Sequence, residues 1–295
     1  QSNVLVVGDT YEMEYEITES VSGNLLVANS FSDGIILKNT VGVHKIYAVA
    51  INTFIQIKRY GVCDVTIDNI KIKRLNGDDT PRIDYTDGGC PVLLTEPQST
   101  NVNPHSQDFS NGFYIKDSGV SVGDTNFVSP SGESNATQIE VDNSGRIYAN
   151  VASDTYSTSV FIKAGTFSYF KFTGSTVDLV AGTFSGGTIE SFGNGWFRIT
   201  TQYTGNRPFQ IQAYTDGTYS THTTYGNYYI WGSQIEVGSY STSLIPTYGA
   251  VRTRLQDTVL GAGTVSDFNS VEGTLFAEIS ALREVNDNIQ YMGLG

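Results

Sequence analysis

A chain of 295 residues is long enough for roughly two domains of ordinary size, each able to bury its own core. With 17 Lys and Arg against 30 Asp and Glu, the formal charge of -13 excludes the basic face of a nucleic-acid reader, and no run of about 18 apolar residues is present to span a membrane. The 31 Gly, 18 Tyr and 15 Phe, with only 2 Met and 16% charged residues, suit antiparallel sheet, where β-branched and aromatic side chains fit a pleated half-buried surface and Gly serves the turns.

Helical periodicity is nearly absent, and short alternating segments recur at roughly the 8 to 12 residue spacing of sandwiches and barrels. The first block, residues 1–76, carries "TYEMEYEIT", with Tyr11, Met13, Tyr15 and Ile17 on one face, then "NLLVA", "GIILK", "HKIYAVA", "TFIQIKR" and "DVTIDNIKIKRL". In the last of these the apolar parity changes at Asn69, which predicts a β-bulge there. Glu14 and Glu16 read as a solvent-facing edge. Residues 77–105 hold four of the seven prolines and read as an ordered but irregular connector, with a solvated turn at Gly77 to Asp79.

The second block, residues 106–253, is again all strands, from "GFYIKDSGVSV" to "NYYIWGSQIEVG". Residues 254–295 form a further connector and the start of a third unit, "NSVEGTLFAEISAL". The blocks echo each other: "GDTYEMEYEIT" answers "SDTYSTSVFIK", and "VTIDNIKIKRL" answers "YYIWGSQIEVG". The fold expected is all-β, tandem antiparallel β-sandwich domains of jelly-roll type, the first lacking its opening strands. No initiator Met or signal peptide opens the chain, and the last residues read as an unfinished strand pair, so a segment of a longer polypeptide, or one with trimmed ends, is expected. Cys63 and Cys90 have no metal-ligand spacing; two free, partly buried thiols are expected ahead of a bridge.

The runs "SQDFSNGFYIKDSGVSV", "SPSGESNATQIEVD", "YSTSVFIKAGTFSYFKF", "SFGNGWFRIT" and "YIWGSQIEVGSYSTSLIPTYGAVRTRLQD" resemble a module that recurs in bacteriophage tail-fibre and other virion surface proteins, over about Pro91 to Asp257. The first block is similar to jelly-roll carbohydrate-binding modules, whose last strand often reads like "TIDNIKI", and "FNSVEGTLFAEIS" looks like the start of a concanavalin or laminin-G-like sandwich. The resemblance implies a β-sandwich protein on a phage particle, at the virion surface or tail, with other virion proteins and copies of itself as partners. A trimer is expected for a fibre. It lends no catalytic residues.

The candidate ligand platform is "AYTDGTYSTHTTYGNYY": Tyr214, Tyr219, Tyr225 and Tyr228 offer ring faces on which sugars stack, and Asp216, His222 and Asn227 can hydrogen-bond to hydroxyls. The competing reading of the same tyrosines is sheet cover or a subunit contact. Asp68 occupies the position where related jelly rolls hold a structural calcium ion, although calcium takes about six to eight oxygens and one strand carboxylate does not make a site. No other cofactor is expected. Trp196 and Trp231 read as core, Trp231 filling the space between two sheets.

Catalysis has little support. His44, His105 and His222 sit in unrelated segments without a nucleophile motif. Glu190 and Glu236 are the obvious pair for a glycosidase, but both lie in strands shared with the non-catalytic module. The expectation is therefore a non-enzyme that binds host-surface glycans weakly and in many copies. The alternatives are a spacer or decoration protein without a ligand, or the non-catalytic part of a polysaccharide-degrading enzyme.

Overall fold

The computed structural model describes residues 4–31, 34–74, 82–84 and 92–257. Cys90, the turn at Gly77 to Asp79 and the strands read after residue 257 lie outside these residues. Among the described residues there is no helix, and every named strand pairing is antiparallel. The all-β, multi-sheet architecture read from the periodicity is therefore the architecture observed. Contacts divide the chain into two compact units, Gln1–Asp78 with Tyr248–Ala250, and Asp79–Thr247 with Val251–Gly295.

The first unit is one four-stranded sheet of Thr10–Val27 (β1), Ile35–Ile36 (β2), Gly42–Val49 (β3) and Ile57–Arg74 (β4), with β1 between β3 and β4. Period-two alternation sends Tyr11, Met13, Tyr15 and Ile17 into a core with Leu5, Val27, Phe31 and Leu37. Irregular segments, with no second sheet among the described residues, cover this apolar face. The opposite face carries Glu12 and Glu14, with Lys45 3.2 Å from Glu12 and Lys71 2.7 Å from Glu14. The hydrogen bond from Lys71 holds the Glu14 carboxyl below its ordinary pKa, against partial burial. Glu14 and Glu16 are thus in a central strand, and the edge position read for them is corrected. Strand β1 is paired with β3 on one side and β4 on the other, and its alternate residues are buried, whereas β4 is mostly exposed. The Cys63 thiol is free and half-buried.

The second unit opens with a two-stranded ribbon, Arg82–Asp84 (β5) and Val92–Leu94 (β6). The second unit then runs through Ser99–Asn101 (β7), Tyr114–Lys116 (β8), Val120–Val122 (β9), Phe127–Val128 (β10), Ser134–Val141 (β11), Arg146–Ala149 (β12) and Asp154–Ala164 (β13). It continues with Tyr169–Phe172 (β14), Ser175–Asp178 (β15), Thr183–Phe184 (β16), Gly187–Ser191 (β17), Trp196–Gly205 (β18), Phe209–Tyr214 (β19), Gly226–Val237 (β20) and Arg252–Arg254 (β21). Nine of these strands form one sheet along β10-β11-β20-β13-β18-β17, with β9 beside β11, and β7 beside β20 and β21. Six form the other, in the order β16-β15-β14-β19-β12-β8. Ile139, Val160, Ile162, Ile199 and Ile230 of the first sheet meet Ile147, Phe170, Phe172, Phe209 and Ile211 of the second in one core, as in a two-layer sandwich.

The echo between the blocks is a shared register. Tyr11 stands opposite Arg74 as Tyr156 stands opposite Val237, and Thr10 opposite Val49 as Thr155 opposite Thr204. Pairing slips between Glu14–Lys71 and Glu16–Asp68 in one unit, and between Ser159–Gln234 and Phe161–Trp231 in the other. In both the extra residue lies in the left-handed region, Asn69 at φ 49 and Gly232 at φ 60. Asn and Gly tolerate that conformation, which β-branched residues at the same place would not.

The second bulge corrects the placement of Trp231. Gly232 reverses the alternation, so Tyr228, Ile230 and Ile235 face the sandwich core while Trp231 turns to the outer face of the nine-stranded sheet. There it forms a second small core with Phe161, Trp196 and Ala136, closed by Phe127 and Leu244. The Trp196 indole N–H donates to the Val128 carbonyl at 3.1 Å.

Candidate functional site

The two outer faces of the sandwich differ. On the nine-stranded sheet, the segment after β20 folds back over the polar end of β20 and covers it. Glu236 is 0% exposed, and its oxygens accept from Ser99 Oγ (2.5 Å), Gln234 Nε2 (2.6 Å), Thr242 Oγ1 (2.6 Å) and the Thr242 N–H (3.0 Å). The Ile245 N–H donates to Gln234 Oε1, and Arg198 Nη2 donates to Ser159 Oγ and to the Thr242 carbonyl. Burial pushes the Arg198 guanidinium down from its ordinary pKa, opposed by Glu236 and Glu190. Glu236 is thus a clasp for the covering segment, out of reach of any polymer outside.

The outer face of the six-stranded sheet is open by comparison. The alternation in "RIYA", "YFKF" and "FQIQAY" sends Ile147, Phe170, Phe172, Phe209, Ile211 and Ala213 inward and the intervening residues outward. Register then assembles the outward residues into rows. Arg146, Gln212, Lys171 and Thr176 lie across four neighbouring strands; Ile115, Tyr148 and Gln210 flank them on one side, and Tyr214, Tyr169 and Asp178 on the other. Apart from Tyr214, which is buried, and Ile115, which is exposed, these side chains are half-buried.

Cations sit on the rings of this face. The Arg207 guanidinium lies 4.2 Å from the Tyr148 ring centroid, Arg146 is 5.6 Å from the same ring, and Lys171 Nζ is 5.3 Å from the centroid of Tyr214. Arg146 Nε is paired with Asp117 at 2.6 Å, which raises the Arg146 pKa. Gln212 is held by its amide to the Ser144 carbonyl at 2.5 Å, and Arg207 Nε donates to Asn150 Oδ1 at 3.2 Å.

Of the residues singled out in the sequence, Tyr214 ends β19 at the rim of this face, Asp216, Tyr219, His222 and Tyr225 lie in the segment that follows it, and Asn227 is in β20 of the nine-stranded sheet. Tyr214 is 4% exposed, and Tyr219 packs on it edge-on at 5.5 Å, while its hydroxyl donates to the Val177 carbonyl. Burial pushes both phenols up in pKa. His222 donates from Nε2 to the Ala213 carbonyl at 3.0 Å, which fixes its tautomer, and its ring lies 5.1 Å from Phe167. Asp216 Oδ1 accepts from the hydroxyl and N–H of Thr218, in that order the causes of its lowered pKa, and Asn227 Oδ1 accepts from the Thr166 N–H. Tyr225, 66% exposed, makes no ring contact among the described residues. Tyr214, Tyr219 and His222 therefore come together as the packing that anchors the loop, and Tyr225 stands apart; Tyr228, read with them as a platform ring, is corrected to the sandwich core, where it packs on Phe170. Of the residues that reading missed, Arg146, Tyr148, Lys171 and Gln212 carried a signal in the alternate polar positions of β12, β14 and β19, whereas Arg207, in the turn between β18 and β19, carried none.

Asp68 stands opposite Glu16, and its Oδ1 accepts from the Asn69 N–H, while Asn69 Nδ2 donates to Glu16. Among the described residues no three His, Cys, Asp or Glu side chains converge on a metal-sized point. Two side-chain carboxyls fall short of the about six to eight oxygens that calcium takes. No protein-family model matches this chain, and no curated protein matches it either.

Proposed function

We propose that this chain is a non-catalytic, glycan-binding part of a bacteriophage surface or tail-fibre protein, acting outside the cell in several copies on one particle. The observation that supports it best is the open face of the six-stranded sheet. There Tyr148, Gln210, Gln212, Lys171 and Arg146 project in cross-strand rows from a rigid scaffold, while the other outer face is closed by its own chain. Polar amides beside aromatic rings on a sheet suit hydroxyl-rich ligands, and weak single sites gain from repetition along a fibre. The virion setting and the company of other virion proteins rest on the motif resemblance. The non-catalytic reading is supported by the burial of Glu236, which removes one member of the only carboxylate pair that the sequence suggested.

The test is a glycan-array and host-cell binding assay on the 295-residue chain displayed multivalently, beside a Gln210→Ala, Gln212→Ala variant of equal thermal stability. Binding that the variant loses supports the reading. Binding by neither protein favours the second reading, a spacer or decoration protein, which the packed state of Tyr214 and Tyr219 favours for that rim.

A further inference from the structure

The open face gathers cations on a chain that is acidic as a whole. The whole sequence is at -13, yet the face presents Arg146, Lys171 and Arg207. Of these, Arg146 is matched by Asp117, and neither Lys171 nor Arg207 has a carboxylate within ion-pair distance among the described residues. Two carboxylates stand nearby without pairing with them: Asp178 Oδ1 accepts from the N–H groups of Val180 and Ala181, and Asp216 Oδ1 from Thr218. Among the described residues, Lys171 and Arg207 are thus cations without a carboxylate in contact, on a face where each lies against a tyrosine ring.

Those ring contacts change what the face can recognise. A sugar stacks through its C–H edges on a bare ring, but Arg207 lies on Tyr148, and Lys171 lies over a Tyr214 that is itself buried. A guanidinium held over a ring has its torsions restrained, and with the Arg207 Nε given to Asn150 its Nη groups are left to donate to a carboxylate. Lys171 and Arg146 project on either side of Gln212, about 10 Å apart across two strand spacings, which suits two carboxylates on one polymer better than a single anion.

We infer that the open face of the six-stranded sheet selects carboxylate-bearing polysaccharide, with Lys171 and Arg207 as its charge-reading residues and Gln210 and Gln212 beside them for hydroxyls. This rests on the reading of the unit as a glycan binder and adds the class of glycan. Each exposed ion pair contributes little, so affinity comes from several pairs along a polymer and falls with salt.

The experiment uses the 295-residue chain on beads with three polymers of matched length: polygalacturonate, its fully methyl-esterified neutral form, and dextran sulfate. The expected result is retention of polygalacturonate, weak retention of the ester, loss of about five-fold or more in apparent affinity for Lys171→Gln with Arg207→Gln, and recovery by Lys171→Arg with Arg207→Lys. Thermal midpoints of all variants are recorded alongside, so that a folding defect is separated from a binding one. Equal retention of acid and ester overturns the inference and leaves the glycan reading standing. Dextran sulfate retained as tightly as polygalacturonate overturns it in favour of unspecific polyanion attraction. No retention of any polymer also overturns it, and the neutral-glycan and host-cell arms described above then decide the broader reading separately.

Discussion

Replacing Glu236 by Ala removes the acceptor of four hydrogen bonds from a fully buried position and leaves Ser99 Oγ, Gln234 Nε2, Thr242 Oγ1 and the Thr242 N–H without it. At about 1 kcal/mol for each orphaned donor, the loss is about 4 kcal/mol, in the range for breaking a buried charged network. Both tryptophans of the chain, Trp196 and Trp231, lie in the small outer core of the second unit, so tryptophan fluorescence follows that unit alone. With a urea slope of about 2 kcal/mol per molar, the midpoint falls by about 2 M. Glu236→Gln keeps one oxygen and the shape, and loses about half as much. A fall below about 0.5 M for the Ala variant, or equal falls for Ala and Gln, would refute the carboxylate clasp.

Gly232→Ala is expected to destabilise the same unit by about 1 to 2 kcal/mol, because its φ is 60° and an added Cβ meets Leu244 Cδ2 at 2.8 Å; urea melts followed by fluorescence measure it. Tyr114→Phe should cost about 1 to 2 kcal/mol in the same melts, since Asn103 Nδ2 loses the phenol oxygen it donates to at 2.8 Å. Burial raises the pKa of both Tyr114 and Tyr228 above the ordinary phenol value of 10.0. Above that pH the unfolded chain has released protons that the folded chain keeps. Stability therefore falls as pH rises past about 10, by roughly 1.4 kcal/mol per pH unit for each phenol, and Tyr114→Phe removes one share of that slope. Melts at intervals from pH 8 to 11 check the sign, and a flat or rising stability contradicts it.

Much of the first unit is legible in its letters, because burial on one face of a strand writes itself as period two: Tyr11, Met13, Tyr15 and Ile17 alternate without interruption. The Asn69 bulge shows as a change of parity. The same event at Gly232 is hidden, since Ile230 and Trp231 are both apolar and the two faces they serve are both buried. Glu236 and Gln234 look solvent-facing in sequence because the segment that covers them is a tertiary feature. The open face is written in three strands far apart in the chain, and only the register of β12, β19 and β14 brings Arg146, Gln212 and Lys171 into one row. The loop tyrosines drew notice because they cluster in sequence, whereas in space Tyr214 and Tyr219 turn toward each other.

Strands β7 and β21 carry a mechanical consequence. Arg254 is paired with Ser99 and Arg252 with Asn101, so the polypeptide enters and leaves the nine-stranded sheet side by side, running in opposite directions. Beyond them, Glu96 and Asp257 exchange hydrogen bonds at 2.9 Å, and Glu96 holds Arg254 at 2.8 Å. Tension applied through these two ends acts across the ladder as on a zipper, breaking one bond at a time, instead of along the strands where all must fail together. The unit would yield first at the Glu96–Arg254 latch and lengthen the tether by the few residues of β7 and β21, while the sandwich behind it keeps its core.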